Sequence, residues 1–191
     1  MSHALTHAAT FGSSERSRLR SRIGWICHAL RIAAALWLIW IVTMVTIVWR
    51  DKADVLQRYS QLLSVDVGGV SDARYLAAIA VVATDVVFAA AVAVCLWKLA
   101  STYLAGRVFT VDAAVWLWRA GIAGLIAIAA DIVARITIAS IFTGHFTYSF
   151  ARGLLILPED LLHFIFAIFV LALAHIFKAA AEMADDHAQI V

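Results

Sequence analysis

A single proline, Pro158, and only nine glycines are spread through 191 residues. So little turn-forming material leaves no stock for long irregular loops. Charge is scarce too: Asp, Glu, Lys and Arg make up 15% of the chain, against about a quarter in soluble domains, and 64% of the residues are hydrophobic. That balance excludes an ordinary water-soluble domain, and lipid is the expected solvent. The two cysteines, Cys27 and Cys95, fall near span ends expected to face the cytoplasm, where thiols stay reduced, so no disulfide is expected. The net charge of +2 is small and mixed in sign. No block of basic residues is dense enough for direct nucleic-acid binding. The one cluster, Arg16, Arg18, Arg20 and Arg22, precedes the first apolar run, where such charges orient a chain against anionic headgroups. The chain also lacks a P-loop, a G-x-S-x-G nucleophile turn, a dinucleotide fingerprint and zinc-ligand spacing. Neither an enzyme nor a cofactor or metal is expected.

What the chain does have is four apolar runs: Ile32 to Trp49, eighteen residues without one ionisable side chain, then Tyr75 to Trp97, Ala120 to Phe142 and Leu161 to Phe177. Each suits the ~30 Å of hydrocarbon that a helix crosses at about 1.5 Å per residue. The first run is too long for the core of a secretory signal and leads into Arg50, Asp51 and Lys52 instead of a small-residue cleavage site, so an uncleaved span is expected. The fold expected is all-α: an integral membrane bundle of four antiparallel transmembrane helices, with a short interfacial helix in the first external loop. Residues 1–22 form a basic tail, 23–181 the four-helix domain (spans at about 23–49, 75–97, 116–142 and 158–181) and 182–191 a second tail.

Counting Lys and Arg by side sets Arg16, Arg18, Arg20, Arg22, Lys98, Arg107, Arg119 and Lys178 against Arg50, Lys52, Arg58, Arg74 and Arg152. The excess favours both termini in the cytoplasm. Trp25, Trp49, Trp97, Trp116 and Trp118 fall at expected span ends, at headgroup depth. In the first external connection Val55, Leu56, Tyr59, Leu62 and Leu63 share one helical face, as in a helix lying on the membrane surface. Between the second and third spans, Gly106 ends one helix, Thr110 caps the next and Asp112 sits in its positive first turn. In the second external loop Phe146, Tyr148 and Phe150 alternate with polar residues, and Pro158, Glu159 and Asp160 then open the fourth helix.

A charge buried in hydrocarbon costs ~2.5–3.5 kcal/mol, so each one needs a partner or a function. Asp131 and Arg135 stand four apart on the third span, on a face shared with the small residues Ala120, Gly124 and Ala127, and Asp85 lies at similar depth on the second. Asp85, Asp131 and Arg135 are therefore expected to form a buried cluster, either an ion-pair staple between two helices or part of a proton or ion relay. Arg31 has no acidic neighbour on its own helix; it either snorkels to the headgroups or meets a polar group from another span, giving a candidate inner-leaflet group of His28, Arg31 and His175. His28 with His175 and His145 with His163 also allow a bis-histidine b-type haem to be considered, the least favoured reading.

Two stretches, LASTYLAGRVFTVDAAVWLWRAG from Leu99 to Gly121 and HIFKAAAEMADDHAQIV from His175 to Val191, resemble the bacterial domain of unknown function 2975 family. Gly106, Phe109 and Thr110 match that family's G-x-x-F-t connection between second and third spans. Glu182, Asp185, Asp186, Ile190 and Val191 match its acidic tail with an aliphatic end, while the asparagine usual before that end is missing here. The resemblance covers most of residues 30 to 191 and implies a bacterial inner-membrane protein with no assigned activity. It also implies a partner, since relatives often occur beside small helix-turn-helix regulators.

Two functions follow as expectations. The first is a non-enzymatic sensing or interaction protein that docks a cytoplasmic partner, a small helix-turn-helix regulator or another protein, on Gly106, Arg107, Phe109, Thr110, Glu182, Asp185 and Asp186; association with further copies of the chain is a second kind of partnership. The alternative is a small transport module built on the Asp85, Asp131 and Arg135 cluster.

Overall fold

The computed structural model describes residues 2–106, 110–145 and 157–189, with side chains described for 24–106, 110–145 and 157–183. Five helices carry these residues, and no strand occurs among them: α1 Ser2–Val48, α2 Lys52–Leu63, α3 Asp72–Leu104, α4 Val111–Thr143 and α5 Pro158–Gln189. Four of them hold a segment long and apolar enough to cross a membrane: Gly24–Val48, Asp72–Leu104, Val111–Thr143 and Pro158–Met183. The chain is a multi-pass membrane protein. The backbone of α1 begins at Ser2, so the stretch read from sequence as a basic tail continues the first helix.

Helix boundaries follow from residues that satisfy the loose backbone groups at each end. The Asp51 carboxylate accepts from the amides of Ala53 and Asp54 and starts α2, while Ser71 and Thr110 accept from Arg74 and Ala113 and start α3 and α4. At the other ends Gly106 and Gly144 take φ of +81° and +74°, a conformation open to residues without a Cβ. Within the apolar segments the hydroxyls of Thr46, Thr84, Thr137 and Ser140 donate to carbonyls one turn back at 2.7–2.9 Å. No hydroxyl among these four is left facing lipid without an acceptor.

Three interfaces hold the long helices together: α1 packs on α3, α3 on α4, and α4 on α5. Among the described residues α1 and α5 make at most glancing contact, so the row of four helices is not closed on itself. The contact positions fall along α4 as they rise along α5, since Arg135 meets Asp160, Gly124 meets Ala167 and Gly121 meets Leu171.

The α4–α5 approach depends on Gly121. A Cβ there would stand 2.7 Å from Leu171 Cδ2 and 2.8 Å from its Cγ, closer than van der Waals contact allows, whereas a Cβ on Gly124 would meet the Ala167 Cβ at a comfortable 3.8 Å. Small residues let helices approach closely in lipid. Gly121→Ala is therefore expected to cost about 1–3 kcal/mol, as overpacking does, while Gly124→Ala leaves stability nearly unchanged. Unfolding midpoints of the two variants in detergent check this contrast, and equal midpoints would contradict it.

One end of the bundle is closed by α2. Val55, Leu56, Val67, Val70, Tyr75, Ala78, Ile138 and Phe142 form one buried cluster. Around it Phe142 meets Tyr59 edge-on with ring centres 4.9 Å apart, and Trp49 lies 5.8 Å from Tyr75. The Tyr75 hydroxyl donates to the Trp49 carbonyl at 2.8 Å, tying the start of α3 to the end of α1. Lys52 pairs with Asp72 at 2.5 Å, a surface ion pair worth ~0–1 kcal/mol. Burial, with the Asp131 charge adding to it, pushes the Tyr59 phenol above its ordinary range.

The apolar face of α2, expected to rest on the membrane surface, packs largely on protein. Val55, Leu56 and Leu63 are buried, and only Leu62 of the five apolar residues on that face is exposed, at 57%. The apolar face turned toward protein because the ends of α1, α3 and α4 present an aromatic shelf made of Trp49, Tyr75 and Phe142.

Candidate functional site

Arg135 is the hub of the ionisable groups inside the bundle. Its guanidinium pairs with Asp131 at 3.4 Å, one turn earlier on α4, and with Asp160 at the start of α5. Asp160 is 6% exposed, and its carboxylate also accepts from the Leu157 amide at 2.8 Å. That second bond comes from the unsatisfied amides of the helix start, where a carboxylate is favoured. One guanidinium thus joins a charge on its own helix to a charge on the next. Its Nε is buried with no hydrogen-bond acceptor among the described residues.

Sequence reasoning placed Arg135 and Asp131 together, and the structure does so too, but the staple between helices is Arg135–Asp160 and not a pairing with α3. Asp160 was read only as a first-turn residue of the fourth helix. Depth was the available signal: Arg135 lies eight residues, or about 12 Å, before the end of α4, and a long side chain reaches outward from there to the opening turn of α5. Asp85 makes no ion pair or hydrogen bond among the described residues. It faces the others across a cavity.

That cavity, about 380 Å³, lies among all four long helices. Asp85 of α3, Asp131 of α4, and Asp160 and His163 of α5 line it along with apolar side chains from each helix, Trp37 and Ile41 of α1 among them. Its volume falls in the ~300–1,000 Å³ range of small-molecule pockets, which occur between the helices of bundles. Polar groups on an otherwise apolar wall orient a ligand while the wall holds its body. Among the described residues no three His, Cys, Asp or Glu side chains sit close enough to hold a metal ion.

The inner-leaflet group of His28, Arg31 and His175 is not assembled. Arg31 lies 4.0 Å over the Trp97 ring, while His28 and His175 are both exposed. The cation finds an aromatic face because α1 packs on α3, which carries Trp97; such a contact contributes ~0.5–2 kcal/mol. His145 and His163, the other pair considered for haem, are also exposed, with His163 at the cavity edge.

Of the candidate docking residues, Gly106 ends α3 in the left-handed conformation and Thr110 caps α4, while Arg107 and Phe109 lie outside the described residues. Glu182 is exposed and pairs loosely with Lys178 at 3.7 Å; the side chains of Asp185 and Asp186 lie outside the described residues, as do Phe146, Tyr148 and Phe150. Nearby, Arg119 sits 4.7 Å over the ring of Trp116. Gly121, which sets the α4–α5 distance, was not legible in the sequence, because it lies three residues from Gly124 and only Gly124 shares a helical face with Asp131.

No curated protein and no solved structure matches the chain. Residues 64–191, about two thirds of the sequence, match the model of the family described as protein of unknown function DUF2975, a match that takes in α3, α4 and α5 with their cavity residues and leaves α1 and α2 outside it. By that match and its four apolar helices, the chain belongs to the DUF2975 family.

Proposed function

We propose that this chain is a non-enzymatic sensing protein of the bacterial inner membrane, with both termini cytoplasmic, that passes the state of its intramembrane cavity to a soluble regulatory partner. The observation that carries this reading is the continuity of α5. One unbroken helix of 32 residues begins with Asp160 and His163 at the polar end of the cavity and runs out to the acidic tail around Glu182. An α-helix is stiff over this length, about 48 Å. Displacing its cavity end therefore moves its far end, where a partner reads the change. Exposed Glu182 at the far end supports the assignment of a docking face there, and the family's small helix-turn-helix neighbours are the favoured partner class.

A photo-crosslinking residue in place of Glu182, activated in native membranes, tests this directly. One soluble protein captured in stoichiometric yield is expected; capture of lipid and of further copies of this chain alone would contradict it. A small transport module is the second reading, favoured by the location of Asp85 in the cavity, and proton-linked flux in liposomes separates it from sensing.

A further inference from the structure

The cavity carries more information than its existence. Three carboxylates, Asp85, Asp131 and Asp160, line it, and the one guanidinium among them, Arg135, is committed to Asp131 and Asp160. Asp85 is left with no ion pair or hydrogen bond among the described residues. A carboxylate at that depth in hydrocarbon calls for a countercharge. The second observation is independent of charge. Among the described residues α1 and α5, which flank the cavity on either side, make at most glancing contact, and Trp37 of α1 and Phe166 of α5 on its wall are both exposed, so the cleft between them opens to the outside of the bundle.

We propose that this cleft is a binding site for a lipophilic organic cation, a molecule with one amine or onium head and a compact apolar body, which enters sideways from the bilayer. The inference rests on the sensing reading above and names its ligand class. Charge complementarity selects the sign: an anion would be repelled by the carboxylate excess, and a neutral molecule would leave that excess unbalanced. The walls select the body. Val92, Leu96 and Val170 offer apolar surface, while Trp37 and Phe166 offer aromatic faces that attract an onium group. A bare metal ion is disfavoured, since the carboxylates are too dispersed to converge on one.

The test uses the full chain in lipid nanodiscs, with empty nanodiscs as background, and three probes of one shape and different charge: tetraphenylphosphonium, tetraphenylsilane and tetraphenylborate. Saturable binding of the phosphonium at one per chain is expected, with no saturable binding of the borate. Asp85→Asn should weaken phosphonium binding at least about tenfold, and Asp85→Glu should restore it. Equal binding of all three probes would overturn the cation assignment and leave the sensing cavity standing. Undiminished phosphonium binding by Asp85→Asn would also overturn it. Saturable binding of none of them by the folded wild-type chain would overturn both.

Discussion

Replacing Arg135 with leucine is expected to destabilise the folded chain by about 3–5 kcal/mol, the range seen when one partner of a buried ion pair is removed. Two carboxylates then lose their countercharge: Asp160, with only 8% of its side chain exposed, and Asp131 one turn away. Arg135→Lys should recover part of the loss, since a single ammonium keeps the charge but cannot fork toward two helices as a guanidinium does. The double variant Arg135→Leu with Asp160→Leu should be more stable than Arg135→Leu alone, because it removes the stranded carboxylate along with the guanidinium. Denaturation in mixed micelles followed by circular dichroism measures all three. A single variant as stable as wild type would show that the α4–α5 staple is incidental to the bundle.

The second large effect lies at the α2 end of the bundle. Phe142→Ala should cost about 3–5 kcal/mol, as truncation of a buried phenylalanine does. Phe142 is 3% exposed and stands between Tyr59 of α2 and Trp49 at the end of α1. Losing the ring removes the shelf on which α2 rests, so hydrogen exchange at the α2 amides, Lys52–Leu63, should accelerate well before the long helices open. Leu62→Ala, on the exposed side of the same helix, is the internal comparison and should change exchange little. Equal protection of α2 in the Phe142→Ala and Leu62→Ala variants would mean that α2 is held by something other than this cluster.

Properties of single helices were legible in the sequence. Span length follows from runs of apolar residues. Helix ends follow from Thr110, Gly106 and the Pro158, Glu159, Asp160 opening, each of which appears in the structure where local chemistry puts it. The ion pair of Asp131 with Arg135 follows from a spacing of four. Properties of pairs of helices were not legible. Nothing in a linear pattern says that Arg135 meets Asp160, that Arg31 meets Trp97 and not His175, or that Gly121 and not Gly124 sets the closest approach. The apolar face of α2 was legible and its protein neighbours were not, since an apolar stripe has the same pattern whether lipid or protein covers it.

Everything proposed for the cavity depends on four helices crossing the bilayer, with α2 at one surface and the far end of α5 at the other. Cysteines introduced in turn at Gln57 and at Glu182, both exposed positions, in a chain with Cys27 and Cys95 replaced by alanine, can be treated in intact cells with a membrane-impermeant maleimide. One position is expected to react in intact cells and the other only after the membrane is opened. Reaction of both from the same side would contradict the four-span arrangement and the cavity built on it.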